Sequence, residues 1–219
     1  MTLIDFPGHI AAVLFTQGCP WKCRYCHNPS LWSLNAEKAM KWDEIGSFLK
    51  ERVGYLEGIV ISGGEPLVHK SLPDLLRWIK ELGYKTAIHT NGFYPDRVRS
   101  ISRSGLVDYI AMDVKGTPRG YDTITRCNNS CLPVSKSIDY IISSGVEYEF
   151  RTTWHPALLS EKDLVHTMKA LSSAGGERYY LQNFRSEGVD DDELVTVNTV
   201  LPEDVIDIGK QLFPVFGTR

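Results

Sequence analysis

Three cysteines near the start of the sequence carry its clearest chemical signal. Cys19, Cys23 and Cys26 have the spacing C-x3-C-x2-C, and two more cysteines, Cys127 and Cys131, follow much later. An odd number of cysteines, three of them within eight residues, makes a poor disulfide framework and is typical of metal or redox chemistry. Three thiolates so close together can bind three irons of a [4Fe–4S] cluster and leave the fourth iron open to a ligand.

Two other interpretations of the same cysteines compete. Cys23-x-x-Cys26-His27 also matches the haem-attachment string, although that interpretation leaves Cys19 without a role and requires an exported protein. A zinc site built from the three cysteines and His27 is the second alternative, but a histidine adjacent to a ligating cysteine is awkwardly placed to join the same tetrahedron. A non-catalytic module that binds zinc or an iron–sulfur cluster therefore stays open as a function.

Other polar or glycine-rich segments each follow a short apolar run. They are Ser62-Gly63-Gly64-Glu65-Pro66, His89-Thr90-Asn91-Gly92, Asp113-Val114-Lys115, Arg151-Thr152-Thr153 and Gln182-Asn183-Phe184-Arg185. The apolar runs are rich in Val, Ile, Tyr and Phe, which is typical of parallel strands that are covered on both faces. Since the carboxyl ends of parallel strands meet at one edge of a sheet, we expect these segments to converge with the cysteines.

Strand and helix patterns alternate along the whole chain. The predicted strands are Ile10–Thr16, Gly58–Ser62, Lys85–Thr90, Val107–Val114, Val146–Thr153 and Arg178–Asn183. The predicted helices are Asp43–Arg52, Leu72–Leu82, Pro95–Ser104, Pro133–Ser144, Glu161–Ser173 and Pro202–Phe213. This order predicts an α/β fold with a parallel sheet, either an open doubly wound sheet or a curved partial barrel.

Composition narrows the class of protein further. The 219 residues are 42% hydrophobic and 23% charged, as in ordinary globular proteins. With 24 basic and 27 acidic residues the net charge is −3, which excludes a broadly basic nucleic-acid binder. No apolar run approaches the ~20 residues of a membrane helix, and no basic segment precedes the first apolar stretch. We therefore expect a cytoplasmic protein that binds neither nucleic acid nor membrane.

Taken together, the motifs resemble the radical S-adenosylmethionine (SAM) superfamily and, within it, the activating proteins of anaerobic ribonucleoside-triphosphate reductase. The resemblance rests on the cysteine spacing with Tyr25 before the last cysteine and on four further segments, which are Leu3–Gly8, Leu14–Cys19, Cys26–Pro29 and Tyr148–Pro156. It runs over nearly the whole chain. It implies an open-sided partial (β/α)6 barrel with a parallel sheet, and a single radical SAM domain over residues 1–219.

The resemblance also implies an activity. An oxidoreductase of this kind uses a [4Fe–4S] cluster to cleave SAM reductively to a 5′-deoxyadenosyl radical. That radical would form a glycyl radical on an anaerobic (class III) ribonucleotide reductase, with reduced flavodoxin or ferredoxin as the electron donor. The alternative substrates are another glycyl-radical protein, or a small molecule as in the carboxy-deazaguanine synthases.

Particular residues acquire expected roles from the same resemblance. The three cysteines of the C-x3-C-x2-C motif would hold the cluster. Gly63, Gly64 and Glu65 match the Gly-Gly-Glu-Pro motif, which contacts the methionine amino group of SAM. The glycines would let the backbone approach closely, and a carboxylate suits an ammonium group. No catalytic residue is expected beyond the cluster and SAM themselves.

The remaining expected SAM-binding residues lie at the ends of other strands. Tyr25 would lie near the adenine ring. Asp113 and Lys115 match an Asp-x-Lys motif of activating enzymes, and Lys115 and Arg151 are candidate partners for the SAM carboxylate. Two polar residues complete the predicted set, Asn91 and Gln182.

The sequence departs from the family pattern at two places, His89 and the pair Cys127 and Cys131. Related activating enzymes carry an aspartate beside a monovalent cation where this chain has His89, so the resemblance does not extend to that cation. Cys127 and Cys131 frame a segment that has no counterpart in the family pattern. We predict that these two thiols lie on the surface and take no part in the site.

Overall fold

A parallel sheet of seven strands forms the centre of the protein, whose computed structural model describes residues 1–35 and 39–219. The strands are β1 (Ala11–Thr16), β2 (Gly58–Gly63), β3 (Lys85–Thr90), β4 (Tyr109–Asp113), β5 (Glu147–Trp154), β6 (Arg178–Asn183) and β7 (Val215–Thr218). They pair in sequence order, so β1 and β7 are the two edges of an unclosed sheet. The expected open-sided parallel α/β architecture is therefore confirmed.

The helices connect successive strands. They are α1 (Trp42–Glu51), α2 (Leu72–Glu81), α3 (Pro95–Ser102), α4 (Pro118–Thr125), α5 (Cys131–Ile142), α6 (Glu161–Ser173), α7 (Asp192–Val195) and α8 (Glu203–Leu212). Among the described residues, no helix has the length and apolar character needed to cross a membrane.

Segments with a clear periodic pattern of apolar residues lie close to their predicted bounds. Three segments without such a pattern were not predicted. β3, β6 and α6 begin and end as expected, and the other predicted elements differ by a few residues at their ends. β7, α4 and α7 were not predicted from the sequence, so the sheet formed by the described residues has seven strands rather than the expected six. β7 is short and contains Gly217, α4 begins with Pro118 and contains Gly120, and α7 is a single turn, so none carries a clear hydrophobic period.

Two apolar layers cover the two faces of the sheet. The larger one lies between the outer face and the helices. The smaller one fills only the amino end of the inner face, where Phe6 packs against small residues, among them Ala11, Ala87 and Ala111. The ring of Phe6 lies 5.8 Å from that of Tyr109. The amino end of the barrel is thus closed by side chains, whereas the carboxyl end is left for a cavity.

A buried ion pair fastens β7 to the inside of the barrel. The Glu149 side chain is 2% exposed and accepts two hydrogen bonds from the Arg219 guanidinium, at 2.7 and 2.9 Å. It also accepts a hydrogen bond from the Tyr109 hydroxyl at 2.6 Å. The guanidinium stacks at 3.8 Å over the ring of Tyr180. Glu149 thereby links β4, β5 and the segment after β7 below the cavity.

We predict that Glu149→Gln lowers the free energy of unfolding by about 2–3 kcal/mol, because two charge-assisted bonds to Arg219 lose their buried anion. Urea denaturation followed by circular dichroism measures the change. Glu147→Gln, at an exposed position of the same strand, is the matched control and should change stability by less than about 0.5 kcal/mol. Equal effects of the two substitutions would contradict a structural role for the buried pair.

Candidate active site

A cavity of about 1010 Å³ opens at the carboxyl ends of the strands. The loop after β1 and the ends of the following strands supply its walls. Most of the predicted site residues line it, namely Cys19, Cys23, Tyr25, Cys26, Gly63, Gly64, Asn91, Asp113, Lys115, Arg151 and Gln182. The parallel topology therefore brings together residues that are distant in sequence.

The loop that carries the three cysteines is anchored on two sides by its own backbone. On one side it pairs with the segment that follows it, through bonds from Gly18 N to Leu31 O (2.8 Å) and Cys19 N to Trp32 O (3.1 Å). On the other side it pairs with the end of α4, through bonds from Lys22 N to Thr125 O (3.0 Å) and Arg24 N to Ile124 O (3.1 Å). The backbone of the cysteine loop is thus held at the cavity wall by main-chain contacts with two neighbouring segments.

The donor set of this loop fits an iron–sulfur cluster. Burial raises the pKa of the Cys19 thiol to about 12 and that of Cys23 to about 11, so cluster binding must displace their protons. The Asn91 amide lies 3.7 Å from Cys19 Sγ and donates a hydrogen bond to it. Three thiols that face one cavity suit a cluster in which each thiolate binds a different iron. Within the described ranges, no group of three Cys, His, Asp or Glu side chains is arranged around a single-ion site.

His27 makes contacts of its own outside the thiol set. Its Nδ1 donates to the Glu187 carbonyl at 2.9 Å, and its ring stacks on Phe184 with a centroid separation of 6.4 Å. These contacts hold the imidazole against the segment that follows β6.

The glycine pair at the end of β2 allows two backbones to touch. Gly63 has φ +117°, and a Cβ there would overlap the backbone of Thr16. A Cβ on Gly64 would overlap the carbonyl of Gly18 and crowd that of Leu31. Side chains at either position would therefore push the end of β2 away from the cysteine loop. Only glycine lets these two segments form the same cavity wall.

Glu65 differs from the other predicted residues because its carboxylate does not line the cavity. It is fully buried and accepts hydrogen bonds from Asn91 N (2.6 Å), Leu67 N (3.0 Å) and Thr90 Oγ1 (2.8 Å). Burial raises its pKa to about 7. In this structure Glu65 ties the end of β2 to the end of β3 and so positions Asn91.

The inner wall carries a compact group of charged side chains. Asp113 pairs with Arg151 at 2.9 Å and with Lys115 at 3.1 Å. Burial alone would raise the pKa of Asp113, but the two cations hold it well below its ordinary range. Together with the pair Glu149–Arg219, this group contains three cations and two carboxylates. The carboxylate of Asp5, which also lines the cavity, acts on Arg151 as well, so this wall holds as many carboxylates as cations. Lys115 and Arg151 still supply N–H donors of the kind that bind an anionic ligand group.

His89 contributes a neutral imidazole to the same wall. Burial and the neighbouring Arg151 lower its pKa to about 4. Its Nε2 donates to the Asp5 carbonyl at 2.8 Å, and its Nδ1 accepts from the Arg151 guanidinium at 3.4 Å. The imidazole therefore links the N-terminal segment to Arg151.

Several features of the site carried little signal in the sequence. Arg219 lines the cavity because β7, which was not predicted, brings it there. Ile4 and Asp5 also line it, although they precede the first strand. Cys127 and Cys131, for which surface positions were predicted, are partly exposed and pack with their other side against the outer core near the start of α5. Neither of these thiols lines the cavity.

A segment after β6, residues 184–195, closes over the cysteine loop, and we call it the clasp. Arg24, which lies between two of the cysteines, forms a forked pair with Asp191 at 2.7 and 3.0 Å. Gly188 packs so closely on the His27 carbonyl that a Cβ would overlap it. Tyr25 is buried in an apolar cluster with clasp residues Phe184 and Leu194. The clasp therefore supports the cysteine loop from outside the barrel.

Comparison with known proteins now defines the class. The profile of the radical SAM superfamily matches residues 13–171. The chain therefore belongs to the radical SAM superfamily. Several of its curated relatives are named as activating enzymes of glycyl-radical enzymes or of pyruvate formate-lyase.

Three similar proteins illustrate the relationship. A protein of Methanocaldococcus jannaschii named as a glycyl-radical enzyme activating enzyme is 30% identical over 215 residues, covering 96% of this chain and 88% of that protein. The pyruvate formate-lyase-activating enzyme of Clostridium pasteurianum is 36% identical over 131 residues, which cover 57% of this chain and 54% of the relative. Streptococcus suis SuiB bound to its precursor peptide SuiA superposes with a TM-score of 0.70 at 17% identity, covering 98% of this chain and 49% of SuiB. The matched part of this chain spans about half the length of the Clostridium pasteurianum enzyme and of SuiB.

The glycine contact leads to a first prediction for the site. Gly64→Ala should lower the free energy of unfolding by about 1–3 kcal/mol, because its Cβ meets backbone atoms that cannot rotate away. Gly46→Ala in α1 is the matched control, since its Cβ meets only Trp78 atoms at 3.9 Å or beyond and alanine favours the helix. Denaturant unfolding of both variants measures the difference. A Gly64→Ala protein as stable as the control would contradict the close contact.

The clasp leads to a second prediction. A double-mutant cycle of Arg24→Met and Asp191→Asn should give a coupling free energy of about 1–3 kcal/mol, because the Asp191 side chain is 6% exposed and the pair is forked. The control cycle uses Arg77 and Asp74, an exposed pair at 2.8 Å, which should couple by less than about 0.5 kcal/mol. Equal coupling in the two cycles would show that the clasp does not depend on this contact.

Proposed function

We propose that this protein is a radical SAM oxidoreductase that generates a glycyl radical on an anaerobic (class III) ribonucleotide reductase. The observation that carries the proposal is the convergence of three thiols, a glycine-lined wall and the buried cations Lys115 and Arg151 on one open cavity. We further propose that the whole chain acts as one radical SAM domain. Its place of action would be the cytoplasm, with reduced flavodoxin or ferredoxin as the electron donor.

Each wall of the cavity has a proposed task in holding SAM. Cys19, Cys23 and Cys26 would ligate the [4Fe–4S] cluster. When bound, the cluster supplies the electron that cleaves SAM to methionine and the 5′-deoxyadenosyl radical, which takes the hydrogen atom of a glycine Cα. The backbone at Gly63 and Gly64 would approach the methionine amino group. Glu65 would act indirectly, since its carboxylate holds the end of β3 rather than facing the cavity.

The charged and aromatic residues would orient the rest of the ligand. Lys115 and Arg151 both pair with Asp113 at the cavity, and their N–H donors would bind the SAM carboxylate. Tyr25, whose ring lies 5.1 Å from Lys115 Nζ, would lie near the adenine. The Asn91 amide donates a hydrogen bond to Cys19 Sγ. Gln182, which also lines the cavity, has a side-chain amide that would bind polar groups of SAM. Burial of these groups keeps water away from a reactive radical.

The open side of the sheet supports a macromolecular substrate. β1 and β7 do not pair, so the inner face is accessible from the side as well as from the carboxyl end. A loop of a partner protein could thus reach the cavity. The names of the relatives, which include activating enzymes and a peptide-bound structure, favour such a partner over a small molecule.

The proposal predicts two separable results from anaerobically reconstituted protein. With dithionite and SAM, chromatography should detect 5′-deoxyadenosine and methionine, and added class III reductase should show the EPR doublet of a glycyl radical. Cys23→Ser should abolish both signals, whereas Cys127→Ser should keep them because that thiol lies outside the cavity. SAM left intact would overturn the activity. SAM cleavage with a doublet only on added pyruvate formate-lyase would replace the reductase by that partner.

A further inference from the structure

The outer edge of β1 carries backbone groups that are ready to pair. Thr2 bridges this edge in antiparallel sense, with bonds from Thr2 N to Ala11 O (2.8 Å) and Ala11 N to Thr2 O (3.1 Å). Since backbone direction alternates along a strand, Val13 and Phe15 also point their N–H and C=O groups outward, away from β2. Within residues 1–35 and 39–219, neither has a backbone partner on that side.

This unpaired part of β1 lies beside the cavity. Phe15 pairs in register with Ser62, which lines the cavity wall. Alternation places the Phe15 side chain on the same face as Ala11 and Val13, which is the inner face. The side chain is nevertheless 57% exposed, and Ile4, which also lines the cavity, is 64% exposed. Exposed apolar side chains therefore accompany the free backbone groups at the open side of the barrel.

We propose that the substrate peptide of the partner protein binds as an added strand on the outer edge of β1, through backbone hydrogen bonds to Val13 and Phe15. The inference rests on the function proposed above and identifies how its macromolecular substrate is held. Donors and acceptors repeated at every second residue match another extended backbone and no compact ligand. Thr2 already occupies the neighbouring position of the same edge as an antiparallel strand.

Strand addition also explains how a glycine is presented to the cavity. Alternate residues of an added strand point to the inner face, and the residues between them point away. Successive residues on the inner side would pass Phe15 and the cavity wall at Ser62. A glycine at an inner position carries no side chain, so its Cα could approach the bound cosubstrate closely.

The opposite edge of the sheet supplies an internal control. The N–H groups of Val215 and Arg219 bond to Glu177 and Leu181, so that of Thr218 points to the free edge of β7. The described residues of β7 include no aromatic side chain as exposed as Phe15. Thr218→Pro therefore removes an outward-facing N–H from an edge strand, as Phe15→Pro does. It does so on β7, the edge where we expect no peptide to bind.

The first experiment compares three variants of the cluster-loaded protein with SAM present. The probe is a labelled nine-residue peptide centred on the radical-site glycine of the class III reductase, and binding is followed by fluorescence anisotropy. Phe15→Pro removes a donor that faces solvent, which an edge strand tolerates. It should bind the peptide about tenfold more weakly than Phe15→Ala, which loses the ring but keeps the N–H. Thr218→Pro should bind like the native protein. Equal affinities of the two Phe15 variants would overturn the proposal.

A second experiment uses the native protein and so does not depend on the folding of any variant. Each amide of the peptide is replaced in turn by an ester, which removes one donor at a time. An added strand predicts weaker binding at every second position and little change between them. A flat profile, or no detectable binding of this peptide or of the matching pyruvate formate-lyase peptide, would overturn the inference. A flat profile together with an EPR doublet on the reductase would reject the strand alone, whereas absent SAM cleavage would reject the proposed function.

Discussion

The contact between the end of β2 and the cysteine loop is the constraint on which the site depends. The backbones of Gly63 and Gly64 touch those of Thr16 and Gly18 so closely that no Cβ fits between them. This contact sets the distance between the thiols on one wall and the glycine wall beside them. The loop is also anchored to α4 by main-chain bonds, which fix its backbone on the side opposite the glycine contact.

The inside of the barrel is divided between apolar and charged residues along its axis. Phe6 and small side chains close the amino end, and Glu149 with Arg219 forms the layer above them. Asp113, Lys115 and Arg151 follow at the cavity itself. Buried charges are costly unless each is paired, and in this protein Lys115 and Arg151 pair with Asp113 while Arg219 pairs with Glu149. The paired cations are thereby held at the cavity wall, where their N–H groups face the site of an anionic ligand.

The parts of the fold and site that could be predicted are those encoded by local pattern. The periodic spacing of apolar residues and the glycines at element ends were enough to predict most strands and helices. The spacing of the three cysteines was enough to predict the chemistry of the loop. β7 was missed because a four-residue edge strand that contains glycine has no pattern to detect. Arg219 was missed together with β7, because its role depends on a contact with Glu149. The orientation of the Glu65 carboxylate away from the cavity could not be predicted for a similar reason, since its partner Asn91 follows a different strand.

By itself the sequence determined which atoms are available, namely three thiols, a glycine pair and charged residues at strand ends, because each of these is a local property of a few consecutive residues. Only the tertiary structure decided which of them face the cavity. It turned the Glu65 carboxylate towards Asn91 N at the end of β3 and brought Arg24 against Asp191. It also left Val13 and Phe15 at the outer edge of β1 without a backbone partner among the described residues. Orientation and pairing depend on contacts between residues that are distant along the chain, and the free energy of those contacts exists only once the sheet has formed.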